Sequence, residues 1–137
     1  MNPEKLAAIH ALCFTSAPRP WSAAEFSGLI GSNGSVLVEG PDSFALGRLV
    51  GPEAEVLTLA VAPSQRRRGI AIRLLDALHS RLSKLGAQEI FLEVAEKNDP
   101  ALALYEKVGY RQIGRRKGYY AVTGEPAVDA ILLSRRL

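Results

Sequence analysis

The spacing of apolar residues divides the chain into helix-like and strand-like stretches. Leu6, Ile9, Leu12 and Cys13 share one helical face behind Asn2-Pro3, an N-cap followed by proline at the first helical position, so a helix opens the pattern. The segment 15–20 breaks it. Ser22 and Glu25 then supply the two ends of a capping box, and a short second helix runs to about Ile30. Beyond the Gly31-Ser32-Asn33-Gly34 breaker, residues 36–38 and 44–50 read as two strands joined by a Pro41-Asp42 turn. Gly51-Pro52-Glu53 makes the next turn. Residues 54–62 are apolar on both faces apart from Glu55 and Thr58, as expected of a central strand covered on both sides.

The longest periodic pattern follows. Ile70, Leu74, Leu75, Leu78, Leu82 and Leu85 mark one helical face, Arg73, Asp76, Arg81 and Lys84 mostly occupy the other, and Gly86 is a natural stop. Ile90, Leu92 and Val94 alternate with Phe91 and Glu93 in a strand that this helical crossover lays parallel to the 54–62 strand, giving a βαβ unit. Asp99, read as an N-cap with Pro100 at the first helical position, opens a short helix over 101–108 that Gly109 ends. Strands over 110–114 and 127–133, around a Thr123-Gly124-Glu125-Pro126 turn, complete a mixed α/β pattern.

Between the 54–62 strand and the long helix lies Gln65-Arg66-Arg67-Arg68-Gly69-Ile70-Ala71. A strand that stops, a basic turn with a glycine, and a helix that starts at once aim free backbone N–H groups and the positive end of a helix dipole at one point. Such a point binds anions.

Composition narrows what the anion site belongs to. With 137 residues, 47% apolar and 23% charged, the chain is expected to form one domain over 1–137. The single cysteine, Cys13, has no internal disulfide partner, and no secretory segment or run of about 18 apolar residues is present, so a reducing, cytoplasmic location is expected. The net charge of +3 is gathered at 66–68, 115–117 and Arg135-Arg136, which favours local anion sites over a broad nucleic-acid face. His10 and His79 stand apart from any Cys, Asp or Glu grouping; surface or helix-face roles are expected for them, and no metal site is predicted. Cys13 is expected to fill the core side of the first helix, and Trp21 to pack under the loop between the first two helices.

Two familiar phosphate binders are absent from the 65–71 stretch. A Walker A loop needs two glycines flanking four residues and then Lys-Ser or Lys-Thr, and a dinucleotide fingerprint needs three spaced glycines, of which only Gly69 is present. The remaining pattern, Gln/Arg-x-x-Gly-x-Gly/Ala after an apolar strand and before a long amphipathic helix, resembles the pyrophosphate-binding segment of the GNAT superfamily of N-acetyltransferases. The resemblance extends to Leu59-Ala60-Val61-Ala62-Pro63, to Asn98, and to Ala103-Leu104-Tyr105-Glu106-Lys107-Val108-Gly109-Tyr110. Pro20-Trp21-Ser22, Leu92-Glu93-Val94, Arg116-x-x-Tyr119-Tyr120 and Asp129-Ala130-Ile131-Leu132 are similar to the bacterial ribosomal-protein-alanine N-acetyltransferases within it. The chain departs from the pattern in three places: the superfamily's usual first strand is missing before the first helix, Ala62 stands where Asp is common, and Ala71 replaces a second Gly.

The resemblance implies a mostly antiparallel mixed sheet flanked by helices, with the βαβ unit holding acetyl-CoA as acetyl donor. The backbone of Leu59, Ala60 and Val61 would face the pantetheine arm; Arg66, Arg67, Arg68, Gly69, Ile70, Ala71 and Ile72 would surround the pyrophosphate through N–H groups and charge. Asn98 would hydrogen-bond the pantetheine arm, although on propensity it suits an N-cap equally well. Glu93 matches the family's base and Tyr105 its acid. From the residues alone, Glu93 is either a cleft carboxylate or a solvent-facing or ion-paired strand residue, and Tyr105 either a proton donor or a core aromatic.

The expected acceptor is a protein N-terminal α-amine, whose pKa near ~8 leaves a fair neutral fraction at pH 7, unlike a lysine near ~10.4. A small-molecule amine, a protein lysine, or a non-catalytic acyl-CoA-binding regulator are the alternatives. Neither membrane nor nucleic-acid binding is expected, and the assembly is expected to be a monomer or homodimer.

Overall fold

The computed structural model describes residues 1–15, 19–121 and 124–137. In chain order the elements are α1 (Pro3–Cys13), α2 (Ala23–Ile30), β1 (Ser35–Gly40), β2 (Ser43–Val50), β3 (Glu53–Val61), a single 3-10 turn (Pro63–Gln65), α3 (Ile70–Lys84), β4 (Glu89–Ala95), α4 (Asp99–Lys107), β5 (Arg111–Tyr120) and β6 (Val128–Arg136). The expected break over 15–20 lies partly outside the described residues, as does position 123 of the expected 123–126 turn. No helix among the described residues is long and apolar enough to cross a membrane.

Six strands form one open sheet in the order β1-β2-β3-β4-β6-β5. All neighbours run antiparallel except β3 and β4, which α3 joins as the expected βαβ crossover. Alternation along the strands sends two sets of side chains to opposite faces. On one, Val36, Ala45, Ala54, Val56, Ile90, Leu92 and Ile131 pack against Leu74, Leu75, Leu78 and Leu82 of α3, and α4 adds Tyr105. On the other, Phe44, Leu46 and Ala60 pack under Leu6 and Ile9 of α1 and Phe26 of α2.

The caps follow the local chemistry. Asn2 Oδ1 accepts from the Lys5 N–H, and Ser22 and Glu25 complete the capping box at α2. At α4 the cap shifts by one residue: Asn98 Oδ1 accepts from the Ala101 N–H at 3.2 Å, so Asp99 becomes the first helical residue, where its charge still meets the positive helix end. The last two strands outrun the expected 110–114 and 127–133. β5 is an edge strand, exposed along nearly its whole length, so pairing with β6 defines it and apolar alternation does not.

The opposite edge of the sheet is β1. There the Arg81 guanidinium donates to the Leu37 carbonyl at 2.8 Å, and the Met1 amino group pairs with Glu39. The first contact occupies a backbone carbonyl on an edge that would otherwise invite another strand.

Candidate active site

Pairing between β3 and β4 is confined to Glu53 with Glu89, Ala54 with Ile90 and Glu55 with Phe91. Both strands continue, β3 to Val61 and β4 to Ala95, each still paired on its outer side with β2 or β6. The sheet therefore parts along its middle, and the inner backbone edge of Leu59, Ala60 and Val61 has no strand partner among the described residues. A bulge accompanies the parting: Leu46 faces Thr58 while Gly47 faces Val56, which leaves Leu57 as the extra residue. Bulges bend a strand and increase its twist, which turns β3 away from β4.

The chain leaves this cleft at Val61 and enters the basic turn. Two side chains hold the Val61 carbonyl, Arg66 Nε at 3.2 Å and Cys13 Sγ at 3.4 Å, so the sulfur is polar-paired at the cleft mouth as well as half-buried. Arg67 and Gly69 both take left-handed backbone, with φ of 64° and 71°. α3 opens at Gly69 with no side-chain cap, so the N–H groups of Ile70, Ala71 and Ile72 point out of the helix end. A Cβ built at Gly69 would meet no atom within 4 Å, so the space in front of this helix end is open. Ala71 is helical, and the departure from a second glycine costs nothing there. Arg68 reaches Gln65 Oε1 at 3.3 Å, and Arg66, Arg67 and Arg68 are all exposed. Open space, three uncapped N–H groups and clustered guanidinium charge fit a pyrophosphate.

Glu93 and Tyr105 lie on opposite faces of the sheet. Glu93 sits between Leu92 and Val94, which both point into the α3/α4 core, so its own side chain takes the other face, where it is 28% exposed. There it meets Arg116 of β5 at 3.2 Å, and the Arg116 guanidinium in turn lies 5.3 Å from the centre of the Tyr119 ring. Glu93 also lines a cavity of about 310 Å³ with Arg48, Glu55, Phe91, Arg116 and Leu132. Nearby, burial first and then the charge of Glu93 push the Tyr120 phenol up to about 12. Tyr105 projects from α4 on the α3 side, 7% exposed, and burial drives its phenol well above the usual value, so it stays protonated at any physiological pH. Tyr105 is thus both core aromatic and candidate donor, and Glu93 both ion-paired and open to a cavity.

Asn98 spends its Oδ1 on the α4 cap, which leaves its amide nitrogen to donate. The sequence pattern missed Arg116 as the partner of Glu93, because only the β6 register brings these two strands together. Of the surface or helix-face roles expected for the two histidines, the helix-face one holds and the surface one does not. His10 is 1% exposed and His79 6%, each hydrogen-bonded at both ring nitrogens. His10 stacks between Phe14 and Trp21, accepts from the Trp21 N–H at Nδ1, and meets Thr58 Oγ1 at 3.0 Å, which ties the α1–α2 connection to β3 beside the bulge. Trp21 packs there as expected. Among the described residues, no three His, Cys, Asp or Glu side chains gather into a metal site.

Comparison with known proteins agrees with this architecture. The profile of the Acetyltransferase (GNAT) family matches residues 4–110. An N-alpha-acetyltransferase of Saccharolobus solfataricus is 44% identical over 86 residues, covering 62% of this chain but 49% of that protein, so the chain spans about half the length of this relative. The N-alpha-acetyltransferase RimI of Mycobacterium tuberculosis is 38% identical over 117 residues, covering 79% of this chain and 72% of that one. The crystal structure of the ribosomal-protein-S18-alanine N-acetyltransferase from Escherichia coli superposes with a TM-score of 0.83 at 27% identity, covering 98% of this chain and 86% of that chain. With the parted strands, the uncapped α3 terminus and the matched profile taken together, the chain belongs to the acetyltransferase (GNAT) family.

Proposed function

We propose that the protein is an acetyl-CoA-dependent N-acetyltransferase whose acceptor is a protein N-terminal α-amine. The observation that carries this reading is the parting of β3 from β4 beyond Glu55 and Phe91, with a carboxylate on one face and a buried phenol on the other. A thioester lying in the cleft would present its carbonyl carbon between them. The uncapped N–H groups of Ile70, Ala71 and Ile72, with Gly69 and the guanidinium groups of Arg66, Arg67 and Arg68, hold the pyrophosphate of the donor. The free backbone edge of Leu59, Ala60 and Val61 and the amide of Asn98 bond the pantetheine arm.

The chemistry needs three roles. The neutral α-amine attacks, and Glu93 takes the proton that its nitrogen loses as the N–C bond forms, directly or through a water. The carbonyl oxygen gains negative charge, and a backbone N–H at Val61 on the open strand edge supplies a donor for it. As the C–S bond breaks, Tyr105 gives its proton to the sulfur; a phenol of ordinary pKa ~10 is a weaker acid than a thiol near ~8.5, and burial weakens it further, so the transfer is uphill taken alone and is completed by collapse of the tetrahedral adduct and return of a proton from solvent to the phenolate. The acceptor's chain lies over the cavity beside Glu93. The names of the relatives, which acetylate α-amines, support the choice of acceptor.

A thiol-release assay with acetyl-CoA and a peptide library varied at the first residues tests this. Release above the blank with particular N-termini, and product mass placed on the α-amine, is the expected result. Faster turnover with a polyamine, a drug amine or an α-acetylated lysine peptide reassigns the acceptor.

A further inference from the structure

Three polar side chains, from β6, from α3 and from the connection between α4 and β5, cross an otherwise apolar core. Arg135 of β6 places Nη1 2.8 Å from His79 Nδ1 on α3, and His79 Nε2 lies 2.6 Å from the hydroxyl of Tyr110, the residue between α4 and β5. The direction of this chain is fixed by its first member. A guanidinium only donates, so Nδ1 of His79 accepts, the imidazole proton sits on Nε2, and that proton goes to the Tyr110 oxygen. The imidazole is neutral here, because burial and then the Arg135 charge lower its pKa to about 4. Tyr110 itself is 4% exposed.

Tyr110 in turn holds Tyr105 twice. Its ring packs edge-on against the Tyr105 ring, with centroids 5.4 Å apart at 70°, and its N–H donates to the Tyr105 carbonyl at 2.9 Å. Between them Gly109 turns the chain at a φ of 93°. Packing alone does not require this arrangement. Phenylalanine at 110 beside an aliphatic residue at 79 would fill the same core without desolvating a phenol, an imidazole and part of a guanidinium, and apolar replacements of buried polar clusters are often neutral or stabilising. A hydrogen-bonded polar network does have one property that an apolar core lacks, namely a preferred orientation for each member.

We propose that Tyr110, anchored through His79 by Arg135, is a positioning residue that holds the Tyr105 ring in line with the departing sulfur. The proposal rests on the assignment of Tyr105 as proton donor. Small displacements of a proton donor slow the step it serves while leaving binding intact, because the loss appears only in the transition state. The network touches neither the cleft backbone nor the α3 terminus, so donor affinity is outside its reach.

The test compares Tyr110→Phe, the double variant Tyr110→Phe/His79→Leu and Tyr105→Phe, each with acetyl-CoA and with an acetyl thioester of a more acidic thiol. The double variant removes both buried partners together and so leaves no orphaned imidazole N–H to destabilise the core. Tyr110→Phe and the double variant are expected to lower kcat with acetyl-CoA by about 3- to 10-fold with KM unchanged. That deficit should shrink with the more acidic leaving group, which departs without needing a proton. An unchanged kcat beside a lowered Tm, or an equal deficit with both donors, would show that the network only stabilises the fold. If Tyr105→Phe itself leaves the rate unchanged, the donor assignment falls first, and the positioning role falls with it.

Discussion

Glu93→Gln lowers kcat about 10²- to 10³-fold while the KM for acetyl-CoA stays within a factor of two or so. The substitution keeps shape and an oxygen that can accept from Arg116, so the 3.2 Å contact and the β4–β5 geometry survive. What disappears is the basic oxygen on the cavity face of β4. Because the α3 terminus and the inner edge of β3 are untouched, donor binding has no reason to change. The acid limb of the pH–rate profile should flatten as well, since the group whose protonation stops the reaction has gone. An enzyme that keeps its rate would make Glu93 only the ion-pair partner of Arg116. The same experiment on Arg116→Gln separates the roles: the base survives there, and the loss should be small because the Arg116 side chain is 54% exposed.

The second large effect is on stability in mild acid. His10 and His79 are buried as neutral imidazoles, and burial is the leading cause that lowers each pKa from 6.5 to about 4. For His10 the neighbouring Glu25 opposes that shift, and for His79 Arg135 reinforces it while Asp76 opposes it. A histidine depressed in the folded state is protonated first in the unfolded chain. Its contribution is therefore complete above pH 6.5 and is lost progressively as the pH falls toward 4, below which the loss levels off. The gap corresponds to at most about 3 kcal/mol per histidine, and screening at the edge of each cluster reduces it toward ~2. Two such groups together approach a large share of the 5–15 kcal/mol that holds a typical domain. Thermal unfolding between pH 7 and 4 should show a steep fall in Tm, and ring-proton NMR should show neither imidazole titrating near 6.5. A Tm that is flat across this range, or a ring titrating normally, would contradict the neutral assignments.

Both histidines could have been found from the chain itself. His10 lies three or four residues from Leu6, Cys13 and Phe14, and His79 from Leu75 and Leu82, so each occupies the apolar face of its helix. Histidine's usual partial exposure hid that signal. The long helix was legible because its apolar row is uninterrupted, and the cradle because a strand, a glycine and a helix meet there without a gap. β5 was only partly legible: the expected strand stops at Gly114, and the strand character of Arg115-Arg116-Lys117-Gly118 comes from β6 and from Asp129, whose carboxylate accepts from the Gly118 N–H and pairs with Arg115. The parting of β3 from β4 had no local signal at all. Val56-Leu57-Thr58-Leu59 looks continuous in sequence, and only the register with β2 reveals the bulge at Leu57. Asn98 and Asp99 are both good caps, and propensity could not choose between them.

On the proposed function, the acetyl donor sits in the cleft between β3 and β4 and against the start of α3. Titration of the protein with coenzyme A, followed by backbone amide chemical shifts, tests it most directly. Saturable shifts are expected, largest at Leu59–Val61, at Arg67–Ile72 and in the Asn98 side-chain amide, with the β1 edge and the α1–α2 face little changed. Shifts that centre elsewhere, or none at saturating coenzyme A, would contradict it.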